Sequence, residues 1–131
     1  MVQLANLSKL DISWNQLTSL PESIGQLSSL QELDLGYNQL NNLPDSICQL
    51  SNLQKLDLSG NQLTILPKSI GQFSSLQKLD LSYNQLTDMS PLQEIDRPDL
   101  TVKFSGIDLP RRYWIKVSEG HWILPTFEDD V

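Results

Sequence analysis

The sequence predicts an α/β solenoid, a chain wound into short coils with a parallel sheet along its concave side. Three observations predict it. Four near-copies recur at one spacing: Leu7, Leu30, Leu53 and Leu76 stand 23 residues apart, as do Asn15, Asn38, Asn61 and Asn84. Within each copy, apolar and polar residues alternate over a few positions, as in "LDLS". After each of the first three comes a proline, Pro21, Pro44 and Pro67, at the same period. A fixed period between about 20 and 50 residues marks units that cannot bury an apolar face alone and must stack on one another.

The elements follow in order. In "LQELDLGYNQL" (30–40) the alternation turns Leu33 and Leu35 inward and Glu32 and Asp34 outward, so each repeat contributes one short strand. Asn38 follows where the chain must turn a corner. Its amide carries donors and an acceptor that can satisfy backbone groups no strand pairs. Asn15, Asn38, Asn61 and Asn84 are therefore expected to form a structural ladder. Leu40, Leu43, Ile47 and Leu50 supply inward contacts from the return path, where the proline opens a helical or 3₁₀ turn. The pattern L-x-x-L-x-L-x-x-N-x-L resembles the leucine-rich repeat. The second halves "LPESIGQLSS", "LPDSICQLSN" and "LPKSIGQFSS" are similar to its typical 23-residue subclass, found in intracellular Ras-pathway scaffolds and their plant and bacterial relatives.

Residues 1–90 form the repeat region, the first repeat being truncated, and 91–131 a degenerate fifth repeat and a C-terminal cap. Adding the period to Leu79, Leu81 and Leu86 reaches Val102, Phe104 and Leu109, all apolar, so "LTVKFSGIDL" (100–109) reads as a fifth strand and turn. Ile107 falls where the asparagine should be, and the ladder ends. The remaining "PRRYWIKVSEGHWILPTFEDDV" is dense in large apolar residues, as a solenoid end requires. Phe104, Ile107, Tyr113 and Trp114 are expected to cover the last regular repeat, and "YWIKV" and "HWIL" to pair as a hairpin around "SEG". At the other end "QLANLSKLDIS" begins in mid-repeat with no cap. Its exposed strand edge predicts self-association as a homodimer.

A formal net charge of −7 argues against nucleic acid and anionic membrane as partners. A single cysteine, Cys48, excludes an intramolecular disulfide, and no signal peptide or apolar span is evident, which places the chain in the cytoplasm. The sole histidine, His121, lies in the cap. No phosphate loop, zinc spacing or nucleophile elbow occurs, so neither catalysis nor a cofactor or metal is expected.

Function is expected on the outward strand positions, which tile a broad surface rather than a pocket. Column one reads Lys9, Glu32, Lys55, Lys78; column two Asp11, Asp34, Asp57, Asp80; column three, which is small, Ser13, Gly36, Ser59, Ser82; and column four Trp14, Tyr37, Gly60, Tyr83. The aspartates are either solvated filler of the repeat or a stripe facing a partner, with the column-one lysines offsetting their repulsion. The aromatics either pack on the asparagine corner or serve as contacts flanking a gap at Gly60, with the third column leaving room for an approaching chain. The function expected is a protein–protein interaction module or scaffold. The alternative is a recognition segment of a larger multidomain signalling protein, such as one with a GTPase domain.

Overall fold

The computed structural model describes residues 6–88, 90–93, 100–103, 115–118 and 121–123. Five three-residue strands, β1 (Lys9–Asp11), β2 (Glu32–Asp34), β3 (Lys55–Asp57), β4 (Lys78–Asp80) and β5 (Thr101–Lys103), form one parallel sheet in sequence order. The pairing register equals the sequence period: Leu10 lies opposite Leu33, Leu33 opposite Leu56, Leu56 opposite Leu79 and Leu79 opposite Val102. The degenerate fifth strand thus joins the sheet in frame. Strands this short hold because their pairing continues past their ends. Leu35 N–H donates to the Asp57 carbonyl and Leu58 N–H to that of Asp80, both at 2.8 Å.

The return path of each of the first three repeats carries a 3₁₀ turn, Glu22–Gln26, Asp45–Gln49 or Lys68–Gln72. The residue before each is the proline, with ψ between 141° and 152°, so the chain enters the turn extended. Its carbonyl accepts the first turn bond, from Ile24, Ile47 or Ile70 N–H at 3.0–3.1 Å. Proline loses nothing there, because its missing N–H is one that a turn start leaves unpaired.

The core lies between sheet and return path. Leu33, Leu35, Leu40, Leu43, Ile47 and Leu50 of the second repeat are buried, and so are their equivalents in the third. Leu7, Leu10, Ile12, Leu17 and Leu20 are only partly covered, because among the described residues no coil packs beneath the first. A short helix, α1 (Ser90–Gln93), buries Leu92, and β5 adds buried Leu100 and Val102. Beyond it β6 (Ile115–Ser118) pairs antiparallel with β7 (His121–Ile123), the hairpin expected from the sequence, with an irregularity between Lys116 and Ser118. Phe104, Ile107, Tyr113 and Trp114 lie outside the described residues.

Candidate interaction surface

The sheet's outward face, expected from the sequence to be a broad concave surface without a pocket, forms an open groove of about 700 Å³. It is lined by columns one and two and, on the fifth strand, by Thr101 and Lys103. These last two continue the groove past the regular repeats. Their place was readable from the same 23-residue step that located Val102.

In column one, Lys9 Nζ lies 3.2 Å from Glu32 Oε2. This is where the expected lysine compensation departs from the structure: Lys9 pairs within its own column, not with an aspartate. Lys55 and Lys78, adjacent in register, form no ion pair among the described residues.

The aspartates are instead held by the chain two residues on. Asp11 Oδ1 accepts from Ser13 N–H at 3.0 Å, Asp34 Oδ1 from Gly36 N–H at 2.9 Å, Asp57 Oδ1 from Ser59 N–H at 2.9 Å and Asp80 Oδ1 from Ser82 N–H at 2.9 Å. Ser13 and Ser59 hydroxyls donate to the same oxygens at 2.5 Å. An aspartate here closes a local turn that starts the corner, so it is both a surface charge and a structural acceptor. The two roles pull on its proton in opposite directions. The Ser13 hydroxyl and N–H hold exposed Asp11 below the ordinary carboxylate range. Asp34 is pushed up, mainly by burial and further by Asp57, Asp11 and Asp80, against the Gly36 bond.

The third column is not open. Ser59 and Ser82 are 5% and 3% exposed, and Gly36 is buried. A Cβ on Gly36 would sit 3.1 Å from Asp34 Oδ1 and 3.4 Å from Asp57 Oδ1. The space expected for an approaching chain is taken by the carboxylates themselves, which converge there.

Column four has a property that its side chains conceal. Trp14, Tyr37 and Tyr83 have φ of 59°, 57° and 57°, and Gly60 has 67°. Each of the four regular repeats turns its corner through the left-handed region, which glycine enters freely and which costs a bulky residue about 1–3 kcal/mol. Gly60 was the signal for this in the sequence. The Trp14 and Tyr37 rings stack 4.2 Å apart and within 6° of parallel, an arrangement that offsets part of that cost. No gap remains at Gly60, since a Cβ there would fall 2.4 Å from Tyr37 Cδ1. The Tyr37 ring thus lies between Trp14 and Gly60. Trp14 stays 75% exposed, Tyr83 44% and Tyr37 39%.

Beneath the aromatics the asparagines tie each corner to the one before. Asn61 Nδ2 donates to the carbonyls of Leu35 and Leu58 at 3.0 Å and of Ser59 at 3.2 Å, while Oδ1 accepts from Leu40 N–H at 3.0 Å. Asn38 and Asn84 repeat this set, on Ile12 and Leu17 and on Leu58 and Leu63. Asn15 is exposed and reaches only Ile12 and Ser13 of its own repeat.

Cys48 is buried on the return path, away from the groove, and burial pushes its thiol up. Among the described residues no three His, Cys, Asp or Glu side chains gather as a metal site, and no helix is long and apolar enough to cross a membrane.

Stacked coils, an asparagine ladder and a charged open groove define a repeat solenoid that presents a surface. Residues 1–97 match the family described as leucine-rich repeat region, and the chain belongs to that family. Among solved structures it is similar to a leucine-rich repeat protein of Leptospira interrogans, with 38% identity and a TM-score of 0.69 over 79% of this chain. The match spans 28% of that protein. No curated protein sequence matches significantly. Domains of this family are in general protein-interaction modules without enzymatic activity.

Proposed function

We propose that this chain binds a protein partner on its concave face, as an interaction module or scaffold. The observation that carries this reading is the groove: five strands present charged side chains in register on a sheet face that no described element covers. At its edge stands an exposed aromatic shelf of Trp14, Tyr37 and Tyr83, residue types that dominate binding energy at interfaces. Lys9, Asp11, Glu32, Asp34, Lys55, Asp57, Lys78 and Asp80 set charge complementarity and encounter rate. The reading carries with it a cytoplasmic setting, in keeping with a lone, buried thiol.

A second reading, that the chain is the recognition segment of a larger signalling protein such as one with a GTPase domain, draws on the 28% share of its structural neighbour that it spans. It uses the same face. The test is a pull-down from extracts of the source organism with the wild type and with Tyr37→Ala/Tyr83→Ala, folding being checked by circular dichroism. A partner retained by the wild type and lost by the folded variant is expected. Equal retention would move the site off this face.

A further inference from the structure

Over the middle strands the groove's charges are sorted by column, while towards its ends Glu32 interrupts column one and Lys103 follows Asp80 in column two. Lys55 and Lys78 lie side by side in column one and form no ion pair among the described residues, whereas Lys9 is already engaged by Glu32. Asp34 and Asp57 lie side by side in column two, close enough that an oxygen of each comes within 3.4 Å of one point above Gly36. A short positive stripe, Lys55 and Lys78, and a negative stripe, Asp11 to Asp80, therefore run across the strands, separated by two residues of strand, about 6.7 Å. Like charges directly opposite on neighbouring strands repel. Each stripe thus gains from an opposite charge placed above it.

The spacing along the stripes selects the shape of what supplies those charges. Charges within a stripe repeat at the strand separation, about 4.8 Å. Side chains on one edge of an extended peptide repeat every ~6.7 Å and fall out of step after one or two strands. Those on one face of an α-helix repeat every ~5.4 Å and stay within a side chain's reach across the groove. Five strands at about 4.8 Å span roughly 19 Å, or about 13 helical residues.

We propose, building on the concave-face reading, that the groove seats a helix of the partner protein lying across the strands along the solenoid axis. The docked face of that helix carries carboxylates on one flank, over Lys55 and Lys78, and basic side chains on the other, over Asp34 and Asp57. Arginine suits the basic flank better than lysine. Its planar guanidinium pairs with a carboxylate and also lies flat on the exposed aromatic shelf beside it.

The test uses three fluorescent 15-residue peptides carrying the same charged residues. The first is an alanine-based helix with glutamates on one flank of a face and arginines on the other. The second is a helix with both charges mixed on each flank, and the third interrupts the first with two prolines. The intact chain is expected to bind the first at least tenfold more tightly than the others by anisotropy. Asp34→Asn/Asp57→Asn, which keeps the side-chain acceptors of the turn, and Lys55→Glu/Lys78→Glu are each expected to abolish the preference. Equal affinities, preference for the proline peptide, or no binding by the first would overturn the proposal. The concave-face reading would survive those results, because its own test uses the natural partner and the Tyr37 and Tyr83 variants.

Discussion

Asn61 makes four hydrogen bonds to backbone groups of two neighbouring corners, all buried. Replacing it by alanine strands a donor on Leu40 and deprives the Leu35, Leu58 and Ser59 carbonyls of a partner in a site that water does not reach. The expected loss is about 1–3 kcal/mol, read as a lower urea midpoint, and an unchanged midpoint would show that the ladder is dispensable. Asn15→Ala, at an exposed corner, should cost less. Gly60 is constrained twice, by its φ of 67° and by the Tyr37 ring. Gly60→Ala should therefore cost about 1–3 kcal/mol. Adding Tyr37→Ala should recover the steric share but not the backbone share, so the double variant should be less destabilised than the two singles summed. Strict additivity in urea titrations would contradict the contact.

At the scale of the strand and its column, Asp34 ties stability to pH. Its pKa is raised in the folded chain, so the folded state holds its proton more tightly than the unfolded state does. The linked stability is fully present below the ordinary aspartate value of 3.8 and is lost as pH rises through the raised value. Asp34→Asn keeps the bond to Gly36 and removes the charge. It should be more stable than the wild type at pH 7, and the advantage should vanish below pH 3.8 in melts followed across that range. A constant difference at all pH values would show that neither burial nor the neighbouring carboxylates raise the Asp34 pKa on folding. A face that is destabilised by its own charges is expected of a site tuned for binding. The last strand poses a different question. β5 covers the edge of β4 and contributes buried Leu100 and Val102. Ending the chain after Asp96 removes both, and aggregation or a large fall in melting temperature is expected. A truncated chain as soluble and stable as the whole would refute the capping role.

At the scale of the molecule, the two edge strands of the parallel sheet, β1 and β5, each pair on one side among the described residues, but Val102 of β5 is buried whereas Leu10 and Ile12 at the β1 edge are only partly covered. A strand edge bearing apolar residues, guarded by little more than Lys9 and Asp11, invites another strand. Two copies meeting there about a twofold axis would close the edge and stop growth at a dimer. Light scattering should give a dimer mass for the wild type and a monomer for Leu10→Lys. A monomeric wild type at high concentration would exclude the dimer, and a dimer indifferent to the lysine would place the contact elsewhere.

The periodic part of this molecule was legible in the chain because in a solenoid local pattern and tertiary position coincide. One repeat stacks on the next in a single frame, so a step of 23 residues located the pairing of every strand of the parallel sheet, including Val102 in the degenerate fifth. The inward leucines and the hairpin after Ile115 followed from alternation alone. The groove did not. That Gly36 and Ser59 are covered, that Lys9 chooses Glu32, and that Tyr37 lies over Gly60 are relations between neighbouring coils. They depend on where side chains lean in the space between strands, and a column of letters does not record a direction. The left-handed corner lies between these cases. Gly60 announced it, but the aromatics at Trp14, Tyr37 and Tyr83 hid it, because only stacked packing and corner hydrogen bonds hold such residues in a backbone conformation they would otherwise leave.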